Sequence, residues 1–209
     1  MEKNYVKNIL EVYNLATLQE KADGITWYND ANKICKRLAK KYGISLELVC
    51  YVMAALSPNN KWHRNITDTD RVLLHFNNGY LRSMVNLYEA GEKDALKGIA
   101  CTYTANLINA FRILETGDVT HIGKGLKTNN FAQNIYTPKN DNVTIDYHAI
   151  SIALGIRFTI ESVNGKHFKG KNYETLANAY REAGVKVGLS ASELQSLTWC
   201  VWRNIDKIK

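Results

Sequence analysis

Two glycines placed two positions apart, immediately before a helical pattern, constrain this chain more than any other feature. Gly123 and Gly125 permit a tight turn and the close approach of another backbone. The pattern that follows puts Phe131 and Ile135 on one apolar face. A glycine turn that leads into a helix presents unpaired backbone N–H groups, which suit a phosphate. The sequence therefore predicts a phosphate-binding turn at this point.

Two side chains that could take part in a reaction lie close to this turn in the sequence. Lys127 falls in the first turn of the helix, and Asp146 opens a second apolar helix 19 positions later (146 − 127). A carboxylate at a helix start is stabilised in its charged form by the helix dipole and by capping N–H groups. Either residue alone also fits an ordinary role, the lysine as a surface or phosphate-contacting residue and the aspartate as a helix cap. The order in which the glycine pair, the lysine and the aspartate follow one another is more specific than any of these residues alone.

That order resembles the helix-hairpin-helix DNA glycosylase superfamily, of which endonuclease III is the best-known member. The matching positions are Gly123, Gly125, Lys127, Thr128, Asp146 and His148. The sequence differs from the usual family pattern in having Ile122 before the first glycine and Lys124 between the two. The motifs Trp27-Tyr28, Ala54 to Trp62 and Leu194 to Arg203 are also similar to small phage proteins of this superfamily.

The resemblance implies an all-α fold of the helix-hairpin-helix DNA glycosylase type, with two helical subdomains and a cleft between them. Residues 1–209 would then form a single glycosylase-like unit. Its central helical subdomain would cover about residues 45–135 and end in the hairpin. Residues 1–44 and 136–209 would pack together as the second subdomain.

The resemblance also implies a chemistry for the two active side chains. Breaking the bond between a base and its sugar creates positive charge on the sugar, which Asp146 would stabilise while helping to activate the nucleophile. The amine of Lys127, neutral part of the time, would attack the sugar C1′ and form a Schiff base, which permits cleavage at the abasic site. His148 would orient Asp146, or else serve as a buried structural histidine.

Duplex DNA is the partner that this chemistry implies, with the reacting nucleotide flipped out of the stack. The residues expected to hold the backbone phosphate are Gly123, Lys124, Gly125 and Thr128. The resemblance implies a monovalent cation, Na or K, at the hairpin carbonyls. We expect no other cofactor, and no iron–sulfur cluster because the cysteines lack the spacing of a cluster-ligand run.

A polar turn between residues 57 and 65 interrupts an otherwise apolar helical pattern. We interpret Asn59, Asn60 and Trp62 as residues that hold the extruded base or fill the space it leaves. The alternative is a capped loop in which Trp62 packs into the core.

Composition supports an anionic partner and an intracellular setting. The net charge is +7 and the pI is about 9.1. Since the four cysteines fall within apolar patterns, we expect buried thiols in a reducing compartment. No apolar run reaches membrane length. The predicted location is the cytoplasm (that of the bacterial host if a phage encodes the chain), and a monomer is expected.

Several helix boundaries can be predicted from residues that commonly begin or end helices. We expect a first helix over about residues 5–21 that Gly24 ends, and a second that starts at Thr26. Ser45 is predicted to cap the next apolar helix, and Ser190 or Ser192 the last. A further short helix is predicted over residues 94–100.

Three functions remain open at this point. The first is a DNA glycosylase, with or without abasic-site lyase activity, acting on a damaged or modified base. The second is a glycosylase-fold enzyme that remodels modified pyrimidines in phage DNA. The third is a non-catalytic helix-hairpin-helix protein that only binds DNA.

Overall fold

A computed structural model describes residues 4–159, 162 and 169–205 of the chain. Over these residues the structure is helical and contains no strand, which confirms the all-α prediction. A 3-10 turn, Val119–Ile122, lies between the sixth and seventh helices. The helices are α1 (Tyr5–Asn14), α2 (Leu18–Tyr42), α3 (Leu46–Ala55), α4 (Trp62–Asn77), α5 (Tyr80–Glu89), α6 (Thr104–Thr116), α7 (Leu126–Tyr136), α8 (Tyr147–Leu154), α9 (Gly170–Val187) and α10 (Ala191–Ile205).

The chain divides into two compact units. The central unit comprises residues 32–132, and the terminal unit comprises the described residues of 1–31 and 133–209. The chain passes from one unit to the other within α2 and again within α7.

The central unit is built on α3. Ser45 caps this helix as predicted, because its Oγ accepts a hydrogen bond from the Leu48 N–H at 3.3 Å. All residues from Val49 to Leu56 are buried, so α3 is enclosed by its neighbours. It packs against α4, α6 and the 3-10 turn. The core of this unit therefore packs against the 3-10 turn, which is the first half of the hairpin.

The terminal unit is built on α1, α8, α9 and α10, which pack against one another. Ser190 caps α10: its Oγ accepts from the Glu193 N–H at 3.3 Å, while the Glu193 carboxylate accepts from the Ser190 N–H at 3.0 Å. This reciprocal pair selects Ser190 from the two predicted caps. The fully buried Tyr173 and Tyr180 of α9 are among the largest side chains in the core.

Gly24 does not end a helix, contrary to the prediction, and no new helix starts at Thr26. Instead α2 runs without interruption from Leu18 to Tyr42. Glycine is present at position 24 because α10 approaches there: a Cβ on Gly24 would stand 2.4 Å from the Leu197 Cα. The residue serves a close helix contact and not a helix end.

The short helix predicted over residues 94–100 is also absent. The segment forms a series of turns, in which the Ala95 N–H donates to the Glu92 carbonyl and the Lys97 N–H to the Asp94 carbonyl, each at 3.0 Å. Gly98 adopts a φ of 76°, in the left-handed region, and a residue in that conformation cannot continue an α-helix.

Burial of all four cysteines was expected and is wrong for one of them. Cys35 and Cys50 are buried and Cys200 is partly buried, but Cys101 is exposed. Cys101 lies in the link before α6 and not on the apolar face of a helix. None of the helices within the described ranges combines the length and the apolarity that crossing a membrane requires.

Candidate functional site

The glycine turn joins α6 to α7 as a compact hairpin. α6 ends at Gly117, whose φ is 72°, and the 3-10 turn then leads to Gly123. Gly123 has φ 90° and ψ 179°, a conformation that is essentially restricted to glycine. Its N–H donates to the Thr120 carbonyl at 3.0 Å, which closes the turn. The first glycine of the motif is therefore required by the backbone itself.

Asn129 fixes the hairpin from inside, and the sequence patterns did not reveal this role. Its side-chain Nδ2 donates to the Gly123 carbonyl at 2.7 Å and to the Gly125 carbonyl at 3.0 Å. Each carbonyl oxygen keeps a second lone pair, and the monovalent cation that the resemblance implied at these carbonyls stays a prediction.

The start of α7 carries the other predicted phosphate-binding residues. Lys124 is exposed, and Lys127 and Thr128 are partly buried in the first turn of the helix. The first backbone N–H groups of an α-helix have no partner within it and carry the positive end of the dipole. Together with the two lysines they provide an electropositive helix start. Gly125 precedes it without a side chain, and the nearest atom to a Cβ built there is 4.0 Å away.

Asp146 is held by two donors in the terminal unit. It is the N-cap of α8, as predicted, and its Oδ1 accepts from the Ala149 N–H at 2.7 Å. Its Oδ2 accepts from the indole Nε1–H of Trp199 at 3.0 Å. The cap is local to α8, whereas the bond to Trp199 comes from α10. The carboxylate is partly buried and each of its oxygens is oriented by a separate donor.

Aromatic rings and one cation pack against Trp199, the residue whose indole binds this carboxylate. Trp199 makes edge contacts with Trp27 at 6.2 Å and with His148 at 6.1 Å between ring centroids. The guanidinium of Arg203 lies over the Trp199 ring, 4.5 Å from its centroid. His148 also stacks on Tyr147 at 3.9 Å. His148 thus packs beside the indole that binds Asp146, and its predicted orienting role stays a prediction.

The segment that leads into Asp146 is anchored by buried hydroxyl groups. Tyr173 accepts from the Ile145 N–H at 3.2 Å and donates to the Val143 carbonyl at 2.6 Å. Between them, the Thr144 hydroxyl bonds to the Tyr28 hydroxyl at 3.2 Å. Burial raises the pKa of Tyr28, so this hydroxyl stays neutral. Asp146 therefore starts from a firmly positioned backbone.

The three residues predicted for the base pocket lie in the polar turn after α3 and at the start of α4. Asn59 is exposed with φ 57°, and its Nδ2 donates to the hydroxyl of Tyr103. Asn60 is partly buried and donates to Asp68 Oδ2 at 2.9 Å. Trp62 is partly buried as the first residue of α4. Asn59 is the exposed member of the set, Asn60 ties the turn to Asp68, and the role of all three at the base stays a prediction.

Tyr103 is a surface residue that the sequence patterns did not single out. It is 59% exposed, immediately before α6, and the bond from Asn59 brings the two side chains together. A signal for it would have been an aromatic residue at a helix N-cap, where an apolar side chain has no stabilising role. Both residues belong to the central unit, as does Lys127, whereas Asp146, His148 and Trp199 belong to the terminal unit.

The described residues contain no group of three or more His, Cys, Asp or Glu side chains that could hold a metal ion.

Comparison with known proteins places the chain in a family. The sequence profile of a family of unknown function, DUF7178, matches residues 1–206. The chain belongs to this family. A search of curated proteins gave no match, and a search of solved structures gave none either.

Proposed function

We propose that this member of the family is a DNA glycosylase of the helix-hairpin-helix type, acting on a flipped-out damaged or modified base in duplex DNA. The observation that carries the proposal is the Asp146 carboxylate, held at the start of α8 by Ala149 and Trp199. It follows a hairpin whose first glycine adopts a φ of 90°. Capping of α8 uses one oxygen of this carboxylate, and the bond from Trp199 orients the other, which a protein that only binds phosphate does not require.

Asp146 would act on charge that develops during the reaction. When the bond between base and sugar breaks, C1′ and the ring oxygen of the sugar share a positive charge. A carboxylate whose two oxygens are each fixed by one donor keeps further lone pairs for this cation and needs no reorientation during the reaction. Its role in this proposal is electrostatic stabilisation of the sugar.

Lys127 would act as the nucleophile in a bifunctional reaction. Its neutral amine forms a bond to C1′ as the glycosidic bond breaks, and the base leaves with the bonding electrons and takes up a proton. Opening of the sugar ring then gives the protonated Schiff base, from which the strand can be cleaved. If Lys127 only contacts phosphate, water takes the place of the amine and the enzyme is a monofunctional glycosylase.

The hairpin and the net charge of the chain support DNA as the partner. The amides at the start of α7, with Lys124 and Lys127, suit one backbone phosphate without reading sequence. The formal charge of +7 favours association with a polyanion. Asn59 and Tyr103, exposed and bonded to each other, suit insertion into the stack from which the nucleotide has left.

Borohydride trapping on duplex DNA tests the proposal. The substrates are an abasic site and a panel of damaged and modified bases, and the proteins are the wild type, Lys127→Ala and Asp146→Asn. We expect a covalent adduct with the wild type that Lys127→Ala abolishes. Base release that requires Asp146 without an adduct would indicate the monofunctional enzyme.

Failure on every substrate would overturn the glycosylase proposal. Altered but retained pyrimidines in the treated DNA, seen by mass spectrometry of its nucleosides, would instead favour the remodelling enzyme. Salt-sensitive binding with no chemistry at all would favour the non-catalytic binder.

A further inference from the structure

One of the hydrogen bonds to the Asp146 side chain comes from another helix, α10. The Trp199 indole donates to Asp146 Oδ2 at 3.0 Å, and 53 positions separate the two residues in the chain. Capping of α8 needs only Oδ1, which already accepts from the Ala149 N–H at 2.7 Å. The cap alone leaves the other oxygen free to turn, because the terminal torsion of an aspartate is broad. The second bond is therefore unnecessary for the helix and restricts the carboxylate.

Trp199 itself has two partners that contact its ring system. Trp27 contacts it at 6.2 Å with an interplanar angle of 60°, and the Arg203 guanidinium lies 4.5 Å from the ring centroid. A cation over the ring is attracted by the π electrons and restrains the indole from that face. The ring is thus fixed by neighbours on α2 and on its own helix, and the indole N–H is fixed with it.

We infer that Trp199 is a positioning residue for the carboxylate of Asp146, orienting Oδ2 toward the sugar cation of the glycosylase reaction. The inference rests on the proposed function, and it names a residue that acts through Asp146 without touching the substrate. Loss of the indole N–H should reduce the rate of the chemical step and leave DNA binding unchanged. Misplacement of a reacting group by about 1 Å can cost about a hundredfold in rate.

The chain offers a matched control three residues further along α10. Trp202 also carries a guanidinium over its ring, that of Arg157, at 4.5 Å. Its buried Nε1–H finds no acceptor among the described residues. Trp202→Phe therefore removes the same atoms as Trp199→Phe, but removes no known hydrogen bond.

Single-turnover base release, measured with enzyme in excess on the best substrate from the panel above, tests the inference. For Trp199→Phe we expect the maximal rate to fall about 10- to 100-fold with the DNA dissociation constant within about twofold of the wild type. Trp202→Phe should keep both values within about twofold. In the Asp146→Asn background, Trp199→Phe should cause little further loss, since the two residues act as one unit.

A second measurement does not depend on the folding of the Trp199 variant. In the ¹⁵N–¹H spectrum of the wild type, the indole signals of Trp199 and Trp202 are assigned by triple-resonance experiments on the wild-type protein itself. Asp146→Ala should shift the Trp199 indole proton upfield and speed its exchange with water, while the Trp202 signal stays in place.

The outcomes separate the inference from the function on which it rests. A wild type that releases no base from any substrate overturns both. An active wild type with an equally active Trp199→Phe variant overturns the positioning role alone. A rate loss matched by an equal loss of DNA affinity or of folded protein would make Trp199 a structural residue and would also overturn the inference.

Discussion

Gly24 of α2 and Leu197 of α10 pack backbone against backbone. A Cβ built on Gly24 would stand 2.4 Å from the Leu197 Cα and 2.9 Å from its Cβ. The preceding residue of α10 adds a polar contact, since the Ser196 hydroxyl donates to the Gly24 carbonyl at 2.7 Å. This crossing joins α10, the helix that carries Trp199, to α2.

Gly24→Ala is expected to destabilise the protein. Alanine favours the helix by about 1 kcal/mol over glycine, but the added methyl meets backbone atoms that cannot move aside. Overpacking of this kind costs about 1–3 kcal/mol and here should exceed the helix preference. Denaturant unfolding measures the difference. Gly125→Ala is the control, because its Cβ would meet nothing closer than 4.0 Å; an equal loss in both variants would contradict the packing argument.

The same crossing explains where sequence reasoning failed. Gly24 looks like a helix end in the sequence, because its need for close approach comes from a residue about 170 positions away. Ser45 and Asp146 were predicted correctly as helix starts, since capping depends on neighbours within three residues. Trp199 and Tyr103 were missed because their partners, Asp146 and Asn59, are distant in sequence. Helix caps could be predicted from the sequence, and hydrogen bonds between distant segments could not.

The two hairpin glycines should respond differently to alanine. Gly123→Ala forces a side chain into φ 90°, ψ 179°, at a cost of about 1–3 kcal/mol, and should lower both stability and DNA affinity. Gly125→Ala has no such strain and should leave the unfolding free energy within about 0.5 kcal/mol of the wild type. If the backbone of Gly125 lies close to a DNA phosphate, the added methyl group should make Gly125→Ala bind duplex DNA more weakly than the wild type, although its stability is unchanged. Fluorescence anisotropy at fixed salt measures affinity; unchanged binding by both variants would argue against the hairpin as the DNA contact.

Asp146→Asn should separate catalysis from folding. Asparagine caps helices about as well as aspartate, but its NH2 group cannot accept the hydrogen bond from the Trp199 indole, so the unfolding free energy should fall by about 1 kcal/mol. The negative charge is lost, and the single-turnover rate of base release should fall by about 10²- to 10⁴-fold. Asp146→Ala is the comparison: it also loses the cap and should unfold more easily by about 0.5–2 kcal/mol. A fully active Asp146→Asn variant would leave this residue with a capping role only.

The central unit should lose an ionic contact at low pH. Burial alone would raise the pKa of Asp70, but hydrogen bonds from Lys41, at 2.7 Å, and from Tyr42, at 2.7 Å, outweigh it and lower that pKa below 3.8. A lowered folded-state pKa gives stability that is complete above the unfolded-state value and is lost as the pH falls through the folded-state value. Because both side chains are more than a third exposed, solvent screening keeps this contribution small. The difference in unfolding free energy between wild type and Asp70→Asn should be constant from pH 7 to 5 and shrink below pH 3.8; a difference that grows with acid would contradict this assignment.

Loss of the Tyr103 side chain should slow base release most when the target base is paired. It is exposed beside Asn59, where its ring can replace a base that has left the stack. Extrusion of a paired base costs a few kcal/mol, and of an unpaired base much less. Tyr103→Ala should therefore slow base release from a fully paired duplex about tenfold or more and have a smaller effect on the same base in a bulge. Tyr80→Ala, which removes a 45% exposed tyrosine packed on His75, is the control. Equal losses on paired and unpaired substrates would mean that Tyr103 supports binding and not extrusion.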